Sequence, residues 1–459
     1  MSLRHLALYI LIFSLSVYAW KDWFKSLCGL ILLMAVIEHS DMPKSIFGIQ
    51  GLNMWNILFA VIFLAWVTDR FKRGLNWDMP RHINILLLIY LAVILAGVVR
   101  AVFDRGAYDN YPLKSLLSDQ LINTIKWVLP GVLLFDGCRT RQRILIAMGS
   151  ILVLYFVISI QVVRYMPFSA AFDSGVLDQK RISLGEYMGY NACDISTFLA
   201  GAFWAILAAS QMVQKMKYKL LVLGASAIVL FGQAVTGGRA GYIAWGATGL
   251  VLSFLKWRKL LLLVPVVIVL LPIVFPSAVN RMFSGFGETD VSGQSVIDEE
   301  AVASGRVIIW SYVVDEISKS PIVGYGRLAM NRVGITSIIE NDHPGTKAAH
   351  PHNMYLEILL DNGLLGSIPI FLFWAILVVY SGILFRSTNR LCSAVGGMAL
   401  SFMLAQLLAG IGAQHFYPLE STLGVWAAMF LMLRVHVENT KAKFAFNTVE
   451  NNGNGHLSQ

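Results

Sequence analysis

Residues 83–103 read INILLLIYLAVILAGVVRAVF. Arg100 is the only charge in that stretch, and the apolar positions follow one another without the alternation of a half-buried strand. One helix crossing a bilayer takes roughly 20 apolar residues. A backbone in lipid must satisfy its own hydrogen bonds, so such a run reads as a spanning helix. Working outward from it, runs of the same kind lie near 5–20, 24–38, 52–68, 120–136, 144–165, 192–213, 219–236, 240–256, 260–279, 364–385, 393–413 and 422–437. That makes thirteen candidates. The first two are short, and one of them can be re-entrant, so twelve or thirteen spans are expected. The fold class is an all-α polytopic membrane protein.

Composition agrees. Of 459 residues, 57% are hydrophobic and 14% charged, with mean hydropathy +0.65. A soluble protein carries roughly 25% charged residues. The net charge of +9 sits mainly in short connections between apolar runs, which excludes a nucleic-acid patch and fits orientation signals instead. Cys28, Cys138, Cys193 and Cys392 lie in or beside apolar runs and form no C-x-x-C pair, so neither a disulfide framework nor a zinc site is indicated. The first run, near His5 to Trp20, lacks a small-residue cleavage site and reads as a retained helix. There is no internal repeat.

Lys and Arg divide the connections into two sets. One carries Arg70, Lys72, Arg73 and Arg81; Arg139, Arg141 and Arg143; Lys215, Lys217 and Lys219; Lys256, Arg258 and Lys259; and Arg386 and Arg390. This set is expected to be cytoplasmic. With thirteen spans the N-terminus lies outside, and with twelve inside. The outer side then holds 166–190, the turn Thr236-Gly237-Gly238-Arg239, the segment 280–353 and the turn Gln414–Ser421. The chain divides into an N-terminal bundle (1–279), an outer loop (280–353), C-terminal spanning helices (354–437) and a cytoplasmic tail (438–459). The tail is polar and Asn-rich and reads as disordered. Ser284 to Glu300 is rich in Gly, Ser and acids, the composition of a mobile segment. Residues 304–318 predict an amphipathic helix capped by Ser304, with Arg306, Trp310, Val313, Val314 and Ile317 on one stripe and Pro321 barring its continuation.

Three basic residues stand out, and the topology puts all of them on the outer side. Arg239 opens a span directly after two glycines, Arg306 lies in the first turn of the loop helix, and His352 follows Pro351 at the start of the helix entering span 364–385. Each is near a helix N-terminus, where free N–H groups and the dipole favour an anion. Gly237 and Gly238 let a ligand approach the backbone closely. Arginine fits phosphate bidentately. Together these suit a phosphate or diphosphate at the membrane surface. Each residue also has a plainer reading: Arg239 as a snorkelling interfacial residue, Arg306 as a solvated helix start, His352 as a satisfied interfacial histidine. His343, His350, His352 and Asp342 cluster in sequence, but no H-E-x-x-H, D-x-D or calcium-loop pattern accompanies them, and no metal or other cofactor is expected. Gly324-Tyr325-Gly326 is too short for a nucleotide loop, and no G-x-S-x-G is present. Within the spans, Lys126 and Asp194 are the notable ionisable residues.

The run His352-Asn353-Met354-Tyr355-Leu356-Glu357, followed by Gly363-Leu364-Leu365-Gly366, resembles the signature of the O-antigen ligases: His, then Asn, Ser or Gln, nine residues, then Gly-x-x-Gly. Gly305-Arg306 with Trp310, then Pro321, Gly324 and Gly326, looks like the loop upstream of that motif in the wider ligase and polymerase family. Gly237-Gly238-Arg239 looks like that family's arginine at the outer end of a span. The resemblance is specific over about 230–370.

The resemblance implies a GT-C-like, metal-independent, inverting glycosyltransferase of the bacterial inner membrane, with its active face periplasmic. Its donor would be a glycan on undecaprenyl diphosphate. Its acceptor would be a sugar hydroxyl of the lipid A core for a ligase, or the growing glycan for a polymerase. It carries a catalytic role to His352 and diphosphate binding to Arg239 and Arg306. Supporting roles fall to Asn353, Gly237, Gly238, Trp310, Gly363 and Gly366. Membrane lipids are the other expected partners, and nucleic acid is not one. The chemistry of the residues agrees: two arginines can stabilise a leaving diphosphate, and a histidine can take a hydroxyl proton near neutral pH. The complete His-Asn to Gly-x-x-Gly spacing favours the ligase over the polymerase. A protein O-oligosaccharyltransferase ranks third, since such relatives often carry extra C-terminal sequence. A small-molecule transporter is the reading from another class, though the paired inverted halves of many transporters are not visible.

Overall fold

The computed structural model describes residues 3–46, 48, 51–106, 111–284, 288–289, 295–296, 306–344, 348–412 and 416–454. The chain is a helical multi-pass membrane protein. In order it forms α1 (Leu3–Ile37), α2 (Met54–Arg73), α3 (Arg81–Phe103), α4 (Leu113–Leu117), α5 (Asn123–Gly137), α6 (Arg141–Tyr165), α7 (Ser174–Met188), α8 (Ala192–Ala209), α9 (Met216–Ala234) and α10 (Arg239–Leu255). There follow α11 (Val264–Val274), α12 (Pro276–Met282), α13 (Arg306–Lys319), α14 (Ala329–Arg332), α15 (Ile335–Asp342), α16 (Met354–Phe385), α17 (Arg390–Ala409) and α18 (Leu423–Asn454). Two-residue strands at Glu288–Thr289 and Ser295–Val296 pair antiparallel.

The helix α1 is two helices in one. Asp22 has φ −150° and ψ 84°, and Ser26 Oγ donates to the Leu15 carbonyl at 2.8 Å. A straight helix would hold residues 15 and 26 roughly 16 Å apart along its axis. The chain therefore turns back at Asp22, and Arg4 comes to 3.5 Å from Asp41. The two short N-terminal runs are the arms of this hairpin. A turn of π-helix, Ser118–Ile122, joins α4 to α5.

Among the described residues, eight helices are each long and apolar enough to cross a membrane, or nine if the bent pair Arg258–Val274 and Pro276–Met282 counts as one span. That is fewer than the twelve or thirteen spans read from hydropathy. The reasons are local. The α1 hairpin is a single element, α4 and α5 are short pieces of one interrupted run, α10 has only 17 residues, and α18 mixes its apolar run with Arg434, His436 and Glu438. The expected disordered tail also departs from the structure: α18 runs on to Asn454. The tail has no proline, and its first glycine is Gly453, so nothing in it breaks the helix earlier.

The basic set gathers at one end of the bundle. There Asp136 takes Arg70 at 2.6 Å and Arg139 at 2.5 Å, and the fully buried Arg434 grips Asp78 through two bonds of 2.7 and 2.8 Å. Lys256 caps the end of α16 by donating to the Phe385 carbonyl at 2.9 Å. The opposite end carries Arg4, α7, the starts of α8 and α10, and the segment from α12 to the start of α16.

That segment builds a small core of its own from Ile309, Val313, Ala329, Met330, Ile335, Ile339, Ala348 and Leu360. The loop helix, expected over 304–318, is described over Arg306–Lys319, and Ser304 lies outside the described residues, as does most of Ser284–Glu300. Its buried stripe is Ile309 and Val313, flanked by Trp310 and Ile317. Val314, expected on that stripe, is exposed. A helix turn of 3.6 residues places 309, 313 and 317 on one line and rotates 314 off it.

The loop is fastened to the bundle at a break in α16. Gly363 has φ 56° and ψ −167°, a conformation essentially restricted to glycine. Four backbone groups beside the break pair with residues 321–326. Leu364 and Leu365 donate to the carbonyls of Pro321 and Ile322 at 2.8 and 2.9 Å. The Leu360 and Asp361 carbonyls accept from Tyr325 and Gly326 at 2.9 and 2.6 Å. A Cβ on Gly363 would stand 2.4 Å from the Ile322 backbone, and one on Gly366 2.7 Å from Asn362. Beneath the joint the buried Arg327 meets Glu357 and Asp361, each at 3.2 Å, and lies 3.5 Å over the Tyr417 ring. Gly363→Ala should therefore lower stability by about 3 kcal/mol, from forced backbone and clash together. Thermal unfolding in detergent checks this, and a wild-type midpoint would mean the joint is not built as described.

Candidate active site

Four arginines converge at the loop end. Gly237, with φ 70°, turns the chain from α9 into α10 and leaves Arg239 as the first helical residue. The turn is pinned from two sides: Arg281 Nε donates to the Gly237 carbonyl at 2.8 Å, and Ser196 Oγ donates to that of Gly238 at 3.1 Å. Arg281 also pairs with Asp178 of α7. One turn further along α7, Arg181 packs its chain against Gly237 and donates to Cys193 Sγ at 2.9 Å. Arg306, the first residue of α13, brings Nη1 beside Gly412 and close to Ala240. Arg239 feels the repulsion of Arg281, Arg306 and Arg181, relieved chiefly by Asp178. Burial first, and Arg181 in addition, push the Arg306 guanidinium below the usual arginine range, partly offset by Cys193. Arginine stays charged through such a shift. Four half-buried cations gathered near Asp178 form a site whose electrostatics favour an anion.

His352 stands beside this cluster in a strained loop. Its φ of 52° is left-handed, uncommon for any residue but glycine. Three chain segments hold it there. Trp310 Nε1 donates to the Pro351 carbonyl at 2.9 Å, one turn along α13 from Arg306. Asn353 is the N-cap of α16, its side chain accepting from Tyr355 N and Leu356 N at 3.0 and 3.2 Å. Met354 N donates to the Gly410 carbonyl at 2.8 Å, two residues from the Gly412 that abuts Arg306. The His350 and His352 rings lie 4.0 Å apart, and His352 N donates to His350 Nδ1 at 3.3 Å.

The structure thus brings together Arg239, Arg306, His352, Asn353 and Trp310. It puts Gly363 and Gly366 at the joint instead, where they shape the platform for His352. Gly238 leaves no room for a ligand: a Cβ there would stand 2.5 Å from Ser196, so α8 fills the space. Lys126 lies 4.2 Å over the Trp127 ring and donates to Asn56 at 3.3 Å, while Asp342 accepts from Tyr312 at 2.7 Å. Among the described residues, no three His, Cys, Asp or Glu side chains converge as a metal site would need. Sequence reading passed over Arg181 and Arg281. Both fall in segments assigned to the outer side, where arginine runs against the positive-inside bias, and that was the available signal.

Residues 221–371 match the family model described as O-antigen ligase, a range that includes Arg239, Arg281, Arg306, His352 and the Gly363 joint. Over that stretch, about a third of the chain, the sequence is similar to the O-antigen ligases. Two relatives bear the name “Putative polysaccharide ligase”. One, from Rickettsia conorii (strain ATCC VR-613 / Malish 7), is 23% identical over 147 residues, covering 31% of this chain and 34% of that protein. The other, from Rickettsia felis (strain ATCC VR-1525 / URRWXCal2), is 22% identical over 194 residues, covering 41% of this chain and 45% of that protein. The chain matches less than half the length of either relative. Arg181 lies outside the matched range and reaches the site from the N-terminal bundle.

The cap that follows His352 is open to test. Asn353→Ala should cost about 1 kcal/mol, and Asn353→Asp should restore most of it. Melting curves of the two variants decide the matter; an Ala variant as stable as wild type would show that the cap contributes nothing.

Proposed function

We propose that this protein is an O-antigen ligase-type glycosyltransferase of the bacterial inner membrane. It moves a glycan from undecaprenyl diphosphate to a sugar hydroxyl of the lipid A core, on the periplasmic side. The observation that carries the reading is the gathering of Arg181, Arg239, Arg281 and Arg306 beside the His352 loop at the end of the bundle away from the basic set. That end is outward under the positive-inside rule.

The chemistry follows from the groups present. The guanidinia bind the donor diphosphate at the membrane surface while its polyprenyl tail lies against the spanning helices. The acceptor oxygen attacks the anomeric carbon from the face opposite the diphosphate, and the bond from that carbon to the diphosphate oxygen breaks. Attack from the opposite face inverts the centre. Charge grows on the leaving diphosphate, and fixed cations in a half-buried site stabilise it without a metal ion. The acceptor proton passes to a ring nitrogen of His352, whose place is set by Trp310, Asn353 and Gly410. The positive φ of His352 supports this reading, because strained backbone persists where the surroundings over-determine it.

A gel of surface glycans from the native host tests the proposal, comparing the gene deletion, the restored gene, and expressed His352→Ala, Arg239→Ala and Arg306→Ala variants. The deletion should lose the lipopolysaccharide ladder and accumulate lipid-linked polymer. Each arginine variant should slow transfer by about a hundredfold, and the histidine variant by at least as much. Core capped with a single repeat would turn the assignment to a polymerase. An unchanged glycan profile in the deletion would sink both.

A further inference from the structure

The arginine cluster has a polar extension. Along α7, Asp178, Arg181, Ile182, Gly185 and Glu186 recur at i, i+3, i+4, i+7 and i+8 and form one stripe, while Leu177, Leu184 and Met188 are buried on the other side. The stripe begins in the anion site, where Asp178 holds Arg281 and Arg181 packs on Gly237. It ends in an open groove of about 600 Å³ between α7 and the start of α8, lined by Arg181, Ile182, Gly185, Glu186, Tyr190 and Asn191. Arg181 belongs to both, so a molecule in the groove lies next to whatever the four arginines hold.

We propose that this groove is a sugar-binding subsite. The inference rests on the transferase reading and adds to it where one glycan sits. The groove is suited to a pyranose ring, not to a second anion or an acyl chain. Glu186 is exposed and makes no ion pair or side-chain hydrogen bond among the described residues, so its carboxylate is available to accept from hydroxyls. Asn191 uses its Oδ1 to cap α8 through Cys193 N at 2.9 Å, which leaves its amide N–H groups to donate. Ile182, 74% exposed, offers an apolar surface for the C–H face of a ring. Gly185 keeps the floor low between them, because a Cβ there would stand 3.2 Å from the Tyr190 carbonyl. A carboxylate, an amide and an apolar face around a space of this size are a polyhydroxyl-binding set. Being open at its mouth, the groove can take one ring of a longer glycan.

The ring can belong to the acceptor or to the second sugar of the donor, and kinetics separates the two. Full-length protein in nanodiscs would be assayed with lipid-linked glycan extracted from a host strain deleted for this gene, and core-only lipopolysaccharide from the same strain. Wild type, Glu186→Gln and Ile182→Trp would be compared. Both substitutions are at exposed positions, so folding is kept, and the tryptophan fills the groove. Glu186→Gln should raise the KM of one substrate about tenfold, as for a lost charged hydrogen bond, and Ile182→Trp should raise the same KM at least as far. A rise for core lipopolysaccharide assigns the acceptor, and a rise for the lipid-linked glycan assigns the donor. Unchanged KM values for both substrates in both variants would overturn the subsite while leaving the transferase reading intact. No transfer by the wild type would instead overturn the transferase reading, and the subsite with it.

Discussion

A helix that breaks near a membrane surface must find new partners for the backbone groups it frees, because lipid offers none. The break at Gly363 meets that demand through the loop. Two N–H groups and two carbonyls beside it pair with residues 321–326, and the Ile358 carbonyl accepts from the Asn362 and Ser367 side chains. The exchange welds the extramembrane segment to the bundle at one point and fixes the entry of α16, hence the position of its N-cap Asn353 and of His352 before it. Gly324, with φ 61°, faces Gly363 so closely that a Cβ on it would stand 2.5 Å from the Gly363 nitrogen. Two glycines in contact, Gly363 in a conformation essentially restricted to glycine and Gly324 with a left-handed φ and no room for a Cβ, make the joint specific.

The polar network under the joint has a related logic. Arg327 is buried with two carboxylates and an aromatic ring, and Tyr417 ties it to the last outer turn by donating to Asp361 at 2.7 Å. Breaking one partner of such a set leaves an uncompensated buried charge, which is costly even where the intact set adds little net stability. The network thus couples the loop, the start of α16 and the 416–420 turn. These are the same segments that, through Gly410 and Gly412, bracket Arg306 and the His352 loop.

Much of this was legible in the sequence because it is carried by period and composition. Apolar runs located the helices, and Lys and Arg sorted the connections into the two ends of the bundle seen in the structure. The motif His352-Asn353 to Gly363-x-x-Gly366 also marked the region that matches the ligase family. What it did not disclose was the division of labour inside the motif: Asn353 caps, Gly363 bends, Gly366 packs. Spacing alone gives no sign of φ. The gap between the two short apolar runs 5–20 and 24–38 did mark the place where the chain turns at Asp22. Arg181 and Arg281 escaped notice because Arg181 lies 58 residues from Arg239 and 125 from Arg306, and Arg281 lies 42 from Arg239, separations closed only by the tertiary packing of α7, α10, α12 and α13.

The placement of charge explains why the cation site sits where it does. Arginines on the outer side oppose the bias that orients the chain, so each must be compensated or serve an anion. Asp178 compensates Arg281, and Arg332 is held by Asp104 at 3.0 Å. Arg181 donates instead to Cys193 Sγ and packs with Arg281 on Gly237. The four arginines cluster where α7, α10 and α13 begin or pass, at the end of the bundle away from the basic set. Under the proposed function this is where the headgroup of a lipid-linked donor would meet fixed positive charge while its polyprenyl chain stays in the membrane, so the same packing that gathers the cations would also bring them to the substrate's negative charge.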